Sequence, residues 1–208
     1  MSNAMPPFLP AVPLEVLTAI FLFCFVSSVT PGPNNLMVMA SGANFGYRRT
    51  VPHMLGIGAG FSVMVALVGL GLMQVFDLYP VVRQGLMVAC AAYLLYLAWK
   101  IAHAAPPEGG DATGRPMTFL QAAAFQWVNP KAWVMGMSAI TLYAPDRNLG
   151  AVLLIAAMFG LVCIPANSVW ILLGQEVRRL LHRPGLLRAF NWTMAALLVA
   201  SLIPVIYH

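Results

Sequence analysis

Apolar residues along this chain gather into six long stretches, not into the short alternating runs of a membrane barrel. They cover residues 13–28 and, after an interruption, 34–44, then 54–76, 82–101, 119–143, 149–173 and 187–207. Each core approaches the ~20 residues that an α-helix needs to cross hydrocarbon. The pattern predicts an all-α integral membrane protein with six transmembrane helices. Two of the six are interrupted, the first by Thr30-Pro31-Gly32-Pro33-Asn34-Asn35 and the fourth by Asn129-Pro130-Lys131. Lipid offers no water to backbone N–H and C=O groups freed by a helix break. A break at membrane depth therefore faces protein or a wet cavity.

The longest polar stretch, 103–117, divides the chain into two three-helix halves, 6–102 and 118–208, each led by a broken helix. With three spans per half, the second half enters the membrane from the opposite side. The expectation is an inverted 3+3 repeat with helices 1 and 4 broken. Paired breaks in corresponding positions are the best sequence-level pointer to a transporter's binding site. Residues 1–5, with Ser2-Asn3-Ala4 ahead of a second Met, read as a residual tag or terminus and are left out of the fold.

Composition agrees with a lipid-facing surface. The 208 residues are 61% hydrophobic and 8% charged, against about 25% charged in a soluble domain. The net charge of +5 invites no nucleic-acid partner, because basic loops fix orientation in a membrane. Arg48, Arg49, Lys100, Arg115, Arg178, Arg179, Arg183 and Arg188 fall in the loops after spans one, three and five. Only Arg83 and Arg147 fall after spans two and four. The positive-inside rule then puts loops 1, 3 and 5, including the 103–117 linker, in the cytoplasm and both termini outside. No basic residue precedes Arg48, so no cleavable leader is expected.

Chemistry concentrates at the breaks. Pro33 suits the first position of a restarted helix, with Asn34 and Asn35 in its first turn. Asn129 can cap a second restarted helix that Pro130 begins, with Lys131 in its first turn. Such N-termini present free N–H groups and partial positive charge, a seat for a carboxylate. Lys131 is the only charged residue deep in an apolar stretch. A charge there costs at least ~2.5–3.5 kcal/mol, so it needs a partner or a function of its own. Binding a substrate carboxylate and carrying a proton are the two candidates. Gln126 and Asn167, which follows Pro165, are further substrate-binding candidates. A helix-to-helix hydrogen bond is the other reading for Asn167. Pro31, Gly32, Pro33, Pro130, Gly56 and Gly60 are candidates for breaking helices or gating, with close helix packing the default role of the two span-two glycines.

Other classes lack their residues. There is no HExxH, GxSxG or phosphate-binding glycine loop, and the six acids lie near span ends or in loops. No enzyme, cofactor or metal site is therefore expected. Cys24, Cys90 and Cys163 stand far apart and read as buried spectators. Without a nucleotide motif a carrier has to use an ion gradient.

Pro31-Gly32-Pro33-Asn34, the glycine-rich second stretch and Asn129-Pro130-Lys131 resemble the LysE/RhtB amino-acid exporter family, over most of the chain. Within it, Pro-Gly-Pro-Asn-Asn at 31–35 and the run at 91–100 look most like the cysteine/O-acetylserine exporter branch. The resemblance implies efflux of small amino acids or derivatives across a bacterial cytoplasmic membrane, driven by the proton motive force. By it, Pro31, Gly32, Pro33, Asn34, Asn129, Pro130 and Lys131 occupy the family's motif positions. The expected partners are a small amino acid, protons and the lipid bilayer, and a homo-oligomer is compatible with the sequence. The alternative is an inorganic-ion carrier or channel, which would need carboxylate, Cys or His ligands inside the spans.

Overall fold

The computed structural model describes residues 12–72, 74, 78–104, 115–180 and 184–203. Residues 1–5, most of the 103–117 linker, Arg183, and the ends of the second and sixth apolar stretches at Phe76 and Tyr207 lie outside them. So does the side chain of Cys90. Every regular element among the described residues is helical. In chain order these are α1 (Leu14–Val29), α2 (Pro33–Phe45), α3 (Tyr47–Leu67), α4 (Pro80–Ala102), α5 (Phe119–Phe125), α6 (Pro130–Tyr143), α7 (Leu149–Leu180) and α8 (Pro184–Ala200). Val68–Leu72 carries α3 on to a kink at Gly71 (φ 107°), and a 3-10 turn, Gln126–Val128, closes α5.

Both expected breaks are present. A residue before proline is pushed out of helical geometry, and Thr30 before Pro31 is extended (φ −61°, ψ 137°). The chain restarts at Pro33, and α2 is bent from α1 by 59°. Asn129 before Pro130 is extended in the same way (φ −101°, ψ 106°).

By length and composition, three helices can each cross a membrane: Tyr47–Leu72, Gln84–Ala102 and Leu149–Arg179. The bent pair α1–α2 makes a fourth if taken as one span. The remaining described pieces are shorter, so helix length alone does not reach the expected six. Two helices also outrun their apolar stretches. Helix α3 starts at Tyr47, taking in Arg48, Arg49 and Pro52, and α7 runs on through Glu176, Arg178 and Arg179. Hydropathy marks where a helix meets lipid, not where its hydrogen bonds begin.

Helices α3 and α7 pack along each other at the centre, with Phe61 and Phe159 rings 4.7 Å apart. Ser62 Oγ donates across this seam to Ala156 O at 2.7 Å. Helix α1 lies on α7 and α5 lies on α3, while α4 pairs with α8. A Cβ on Gly60 would stand 2.5 Å from Ala123 Cα, so this glycine lets the backbones of α3 and α5 meet. The polar pattern is inverted relative to a soluble protein. Asn35, Asn44, His53, Gln126, Asn129 and Asn191 are buried, whereas Leu22, Val63, Leu120 and Leu161 are exposed.

Candidate functional site

Helix α1 ends with carbonyls that no further helical turn can satisfy. Asn35, in the first turn of α2, turns its side-chain amide back to them. Its Nδ2 donates to Ser28 O at 3.0 Å, Val29 O at 3.3 Å and Thr30 O at 2.7 Å. Trp170 Nε1 from α7 adds a bond to Val29 O at 3.0 Å. The structure thus commits the Asn35 amide N–H groups to the broken end of α1. The N-terminus of α2 itself has no side-chain cap, which leaves first-turn N–H groups available.

At the second break, α5 is started by a capping box. Gln121 N donates to Thr118 Oγ1 at 3.3 Å, and Thr118 N to Gln121 Oε1 at 3.0 Å. Trp133 Nε1 donates to Trp127 O at 2.9 Å, and the two indoles pack edge to face, holding the 3-10 turn against α6. Asn129 takes the N-cap position of α6 as the sequence suggests, but its side chain makes no capping bond. Its Oδ1 is buried and has no partner. A buried acceptor without a donor costs about 1–3 kcal/mol, so this carbonyl is an open acceptor for an N–H.

The two breaks meet. Asn34 Nδ2 donates to Gln126 Oε1 at 2.9 Å and Gln126 Nε2 donates back to Asn34 Oδ1 at 3.2 Å. Gln126 Nε2 also reaches Ala122 O at 2.9 Å. Lys131, from the second break, donates its Nζ to Thr30 O and, at 3.4 Å, to Pro31 O of the first. Gly32 permits this, because a Cβ there would stand 2.5 Å from Lys131 Cδ. The ammonium partner required by the sequence is thus a pair of carbonyls at the C-terminal, electronegative end of α1.

Between the breaks lies a cavity of about 30 Å³, lined by Gly32, Asn34, Asn35, Asn129, Lys131 and Asn167 among others. A single water needs at least about 10–15 Å³ of such space, so in this conformation the gap between the breaks is of water size and too small for an amino acid. Asn167 Nδ2 donates to Cys163 Sγ at 2.8 Å, one turn back on α7. Gln126 stands behind the wall, bonded to Asn34. Gly56 and Gly60 lie outside the cavity on the α3–α5 seam, where a Cβ on Gly56 would meet Phe119 O and Ala122 Cβ. Pro31, Pro33 and Pro130 shape the breaks without donating to the cavity.

Sequence reasoning passes over His53. It is 1% exposed on α3, with neither ring nitrogen bonded. The sequence places it just ahead of the second apolar stretch, beside Arg48 and Arg49, where a polar residue calls for no explanation; its burial becomes visible only in the fold. A second reciprocal amide pair is also unforeseen: Asn44 Nδ2 to Asn191 Oδ1 at 3.0 Å and Asn191 Nδ2 to Asn44 Oδ1 at 3.3 Å, tying α2 to α8.

A family model described as "LysE type translocator" matches residues 25–203. Proteins named "Cysteine/O-acetylserine efflux protein" from Escherichia coli (strain HS), Shigella flexneri and Shigella sonnei are each 28% identical to the chain over 194 residues. Each alignment covers 92% of this chain and 98% of the relative. No solved structure matches.

Proposed function

We propose, for a chain that belongs to the LysE type translocator family, that it exports small neutral amino acids or derivatives, of the cysteine/O-acetylserine kind, by proton-coupled secondary transport. The observation that carries this reading is the meeting of the two breaks. They bring two uncapped half-helix N-termini, one lysine and one unpartnered amide carbonyl to a single small cavity. Half-helix N-termini suit a carboxylate, and a transporter's site is typically built between such broken helices. An α-amino acid adds an ammonium group, for which Asn129 Oδ1 is a ready acceptor. The relatives named as cysteine/O-acetylserine efflux proteins point to the same substrate class.

In this reading Lys131 exchanges partners. In this conformation it holds the carbonyls of Thr30 and Pro31; with substrate present it turns to the carboxylate. Release of those carbonyls frees the 59° bend between α1 and α2 to change, which opens the site. Among the described residues Lys131 is the one cation lining the cavity, and it also serves as the proton carrier.

The two halves, 6–102 and 118–208, act as an inverted repeat. Supporting this, α1 packs on α7 as α5 packs on α3, and each is the first helix of one half on the middle long helix of the other. The chain spans a bacterial cytoplasmic membrane with the arginine-rich loops inside.

Reconstituted protein tests the reading. Proteoliposomes are loaded with labelled O-acetylserine, cysteine and a panel of other amino acids, with and without an imposed pH gradient. Efflux of the small neutral members, accelerated by the gradient, is the expected result. Efflux indifferent to the gradient would remove proton coupling. Movement of inorganic ions with no amino-acid flux would replace the reading with an ion carrier.

A further inference from the structure

A second cavity, of about 360 Å³, opens along the other end of α2. It is lined by Ser41, Asn44, His53, Lys100 and Arg115 among others. Asn34 in the small cavity and Asn44 here are ten residues apart on one helix, about 15 Å at 1.5 Å per residue. The larger cavity therefore lies on the side of the molecule that bears Arg48, Arg49, Lys100 and Arg115, a short distance from the breaks.

Its chemistry is that of an amino-acid site without an acid. His53 is buried and neither ring nitrogen has a partner. A neutral imidazole offers one donor and one acceptor, and here both are unused. Lys100, whose Nζ lies 5.8 Å from the Tyr96 ring centroid, and exposed Arg115 bring positive charge to the wall. Ser41 supplies an acceptor by elimination. Thr50 Oγ1 donates to Gly46 O at 2.8 Å, so in the 2.8 Å Ser41–Thr50 contact the serine is the donor. The lone pairs of Ser41 remain available. Asn44, by contrast, is saturated by Asn191 and Ala40 O. Among the described residues no Asp or Glu lines the cavity.

We propose that this cavity is a loading site that receives the exported amino acid before it reaches the breaks. Lys100 and Arg115 take the carboxylate, and Ser41 with one nitrogen of His53, both buried in the wall until substrate seats, takes the ammonium. The proposal rests on the export reading above. It makes transport a two-stage process, with capture in an open vestibule and transfer along α2 to the small cavity. A zwitterionic lipid headgroup carries the same pair of charges, so the experiment separates the two sources.

Wild type, Arg115→Gln and His53→Gln are reconstituted in phosphatidylcholine vesicles with or without phosphatidylethanolamine. Labelled O-acetylserine is presented to each face in turn. Both variants should raise KM fivefold or more at the face bearing Lys100 and Arg115, in both lipids. The maximal rate from that face should stay within twofold. Arg115 is exposed, so its variant is readable even if His53→Gln fails to fold. An unchanged KM at that face, or a fall in maximal rate alone, overturns the loading site and leaves the export reading standing. A KM effect that needs phosphatidylethanolamine also overturns it, assigning the cavity to lipid. A wild type that moves no amino acid brings down the export reading and this proposal together.

Discussion

Asn34 and Gln126 exchange two amide hydrogen bonds, 2.9 and 3.2 Å long, across the junction of the two chain breaks. Neither break can move independently while this pair is closed, because each amide is donor and acceptor to the other. In the proposed transport cycle this pair acts as a latch between the two breaks. Interhelical polar bonds in membranes average only about 0.6 kcal/mol, with a maximum near 1.7. Its loss should therefore disturb gating more than folding.

Asn34→Ala and Gln126→Ala should each lower efflux by roughly tenfold, the rate equivalent of about 1.4 kcal/mol, and the double variant should be no worse than either single one. Thermal stability should fall by only a few °C, at ~2–4 °C per kcal/mol for a chain of this length. Expression-normalised efflux with a thermal-shift assay on the same preparations checks both parts. Additive losses in the double variant would mean that the two amides act separately.

Lys131→Ala should abolish efflux in a protein that still inserts and folds. Removal of the charge relieves an insertion penalty of about 2.5–3.5 kcal/mol, which offsets the lost bonds to Thr30 O and Pro31 O. Lys131→Arg separates the two roles assigned to the amine, because a guanidinium with a pKa above ~12 cannot carry a proton in turnover. Binding that survives in Lys131→Arg without gradient-driven efflux is the expected outcome. Gradient-driven efflux in that variant would leave Lys131 as a carboxylate ligand only.

Gly60→Ala should destabilise by about 1–3 kcal/mol, the usual cost of overpacking, since its Cβ would stand 2.5 Å from Ala123 Cα. Gly85→Ala is the matched comparison on α4, where a Cβ meets nothing within 4 Å. It should be neutral or gain up to about 1 kcal/mol from helix propensity. Thermal unfolding in detergent reads both, and equal effects would remove the close-packing role of Gly60.

Single cysteines placed in 103–117 and 178–183, in a background without the three native ones, should resist membrane-impermeant thiol reagents on intact cells. This follows from the concentration of Lys and Arg in loops 1, 3 and 5. Labelling from outside would invert the topology and the assigned direction of transport.

The breaks are legible in the sequence because their causes are local. A proline removes an N–H and restricts the residue before it, so Pro31, Pro33 and Pro130 mark the interruptions wherever the helices pack. The partners across the breaks are not legible. Gln126 is a candidate because it precedes the second break by less than three turns, and nothing near it in sequence points to Asn34, 92 residues away. The same holds for Lys131, whose need for a partner follows from burial while the carbonyls that meet it belong to the other half of the chain. Asn35 differs for a related reason. Its position in the first turn of α2 is local and suggests substrate, but the bend that folds α1 carbonyls over its amide is tertiary. Helix ends are the weakest part, since Arg48, Arg49 and Pro52 look like a loop to hydropathy and are helix in α3.

A carboxylate held between the restarted helices, near Asn34 and Lys131, is the feature on which the proposed transport depends. Competition between an amino acid and its amide for efflux in proteoliposomes tests it most directly. The amide keeps the ammonium group and side chain while removing the negative charge that the N–H groups of α2 and α6 and Lys131 would hold. An amide that fails to inhibit at concentrations where the parent acid halves efflux, with O-acetylation of a serine hydroxyl tolerated, is the predicted result. An amide that inhibits as well as its parent acid would contradict the site.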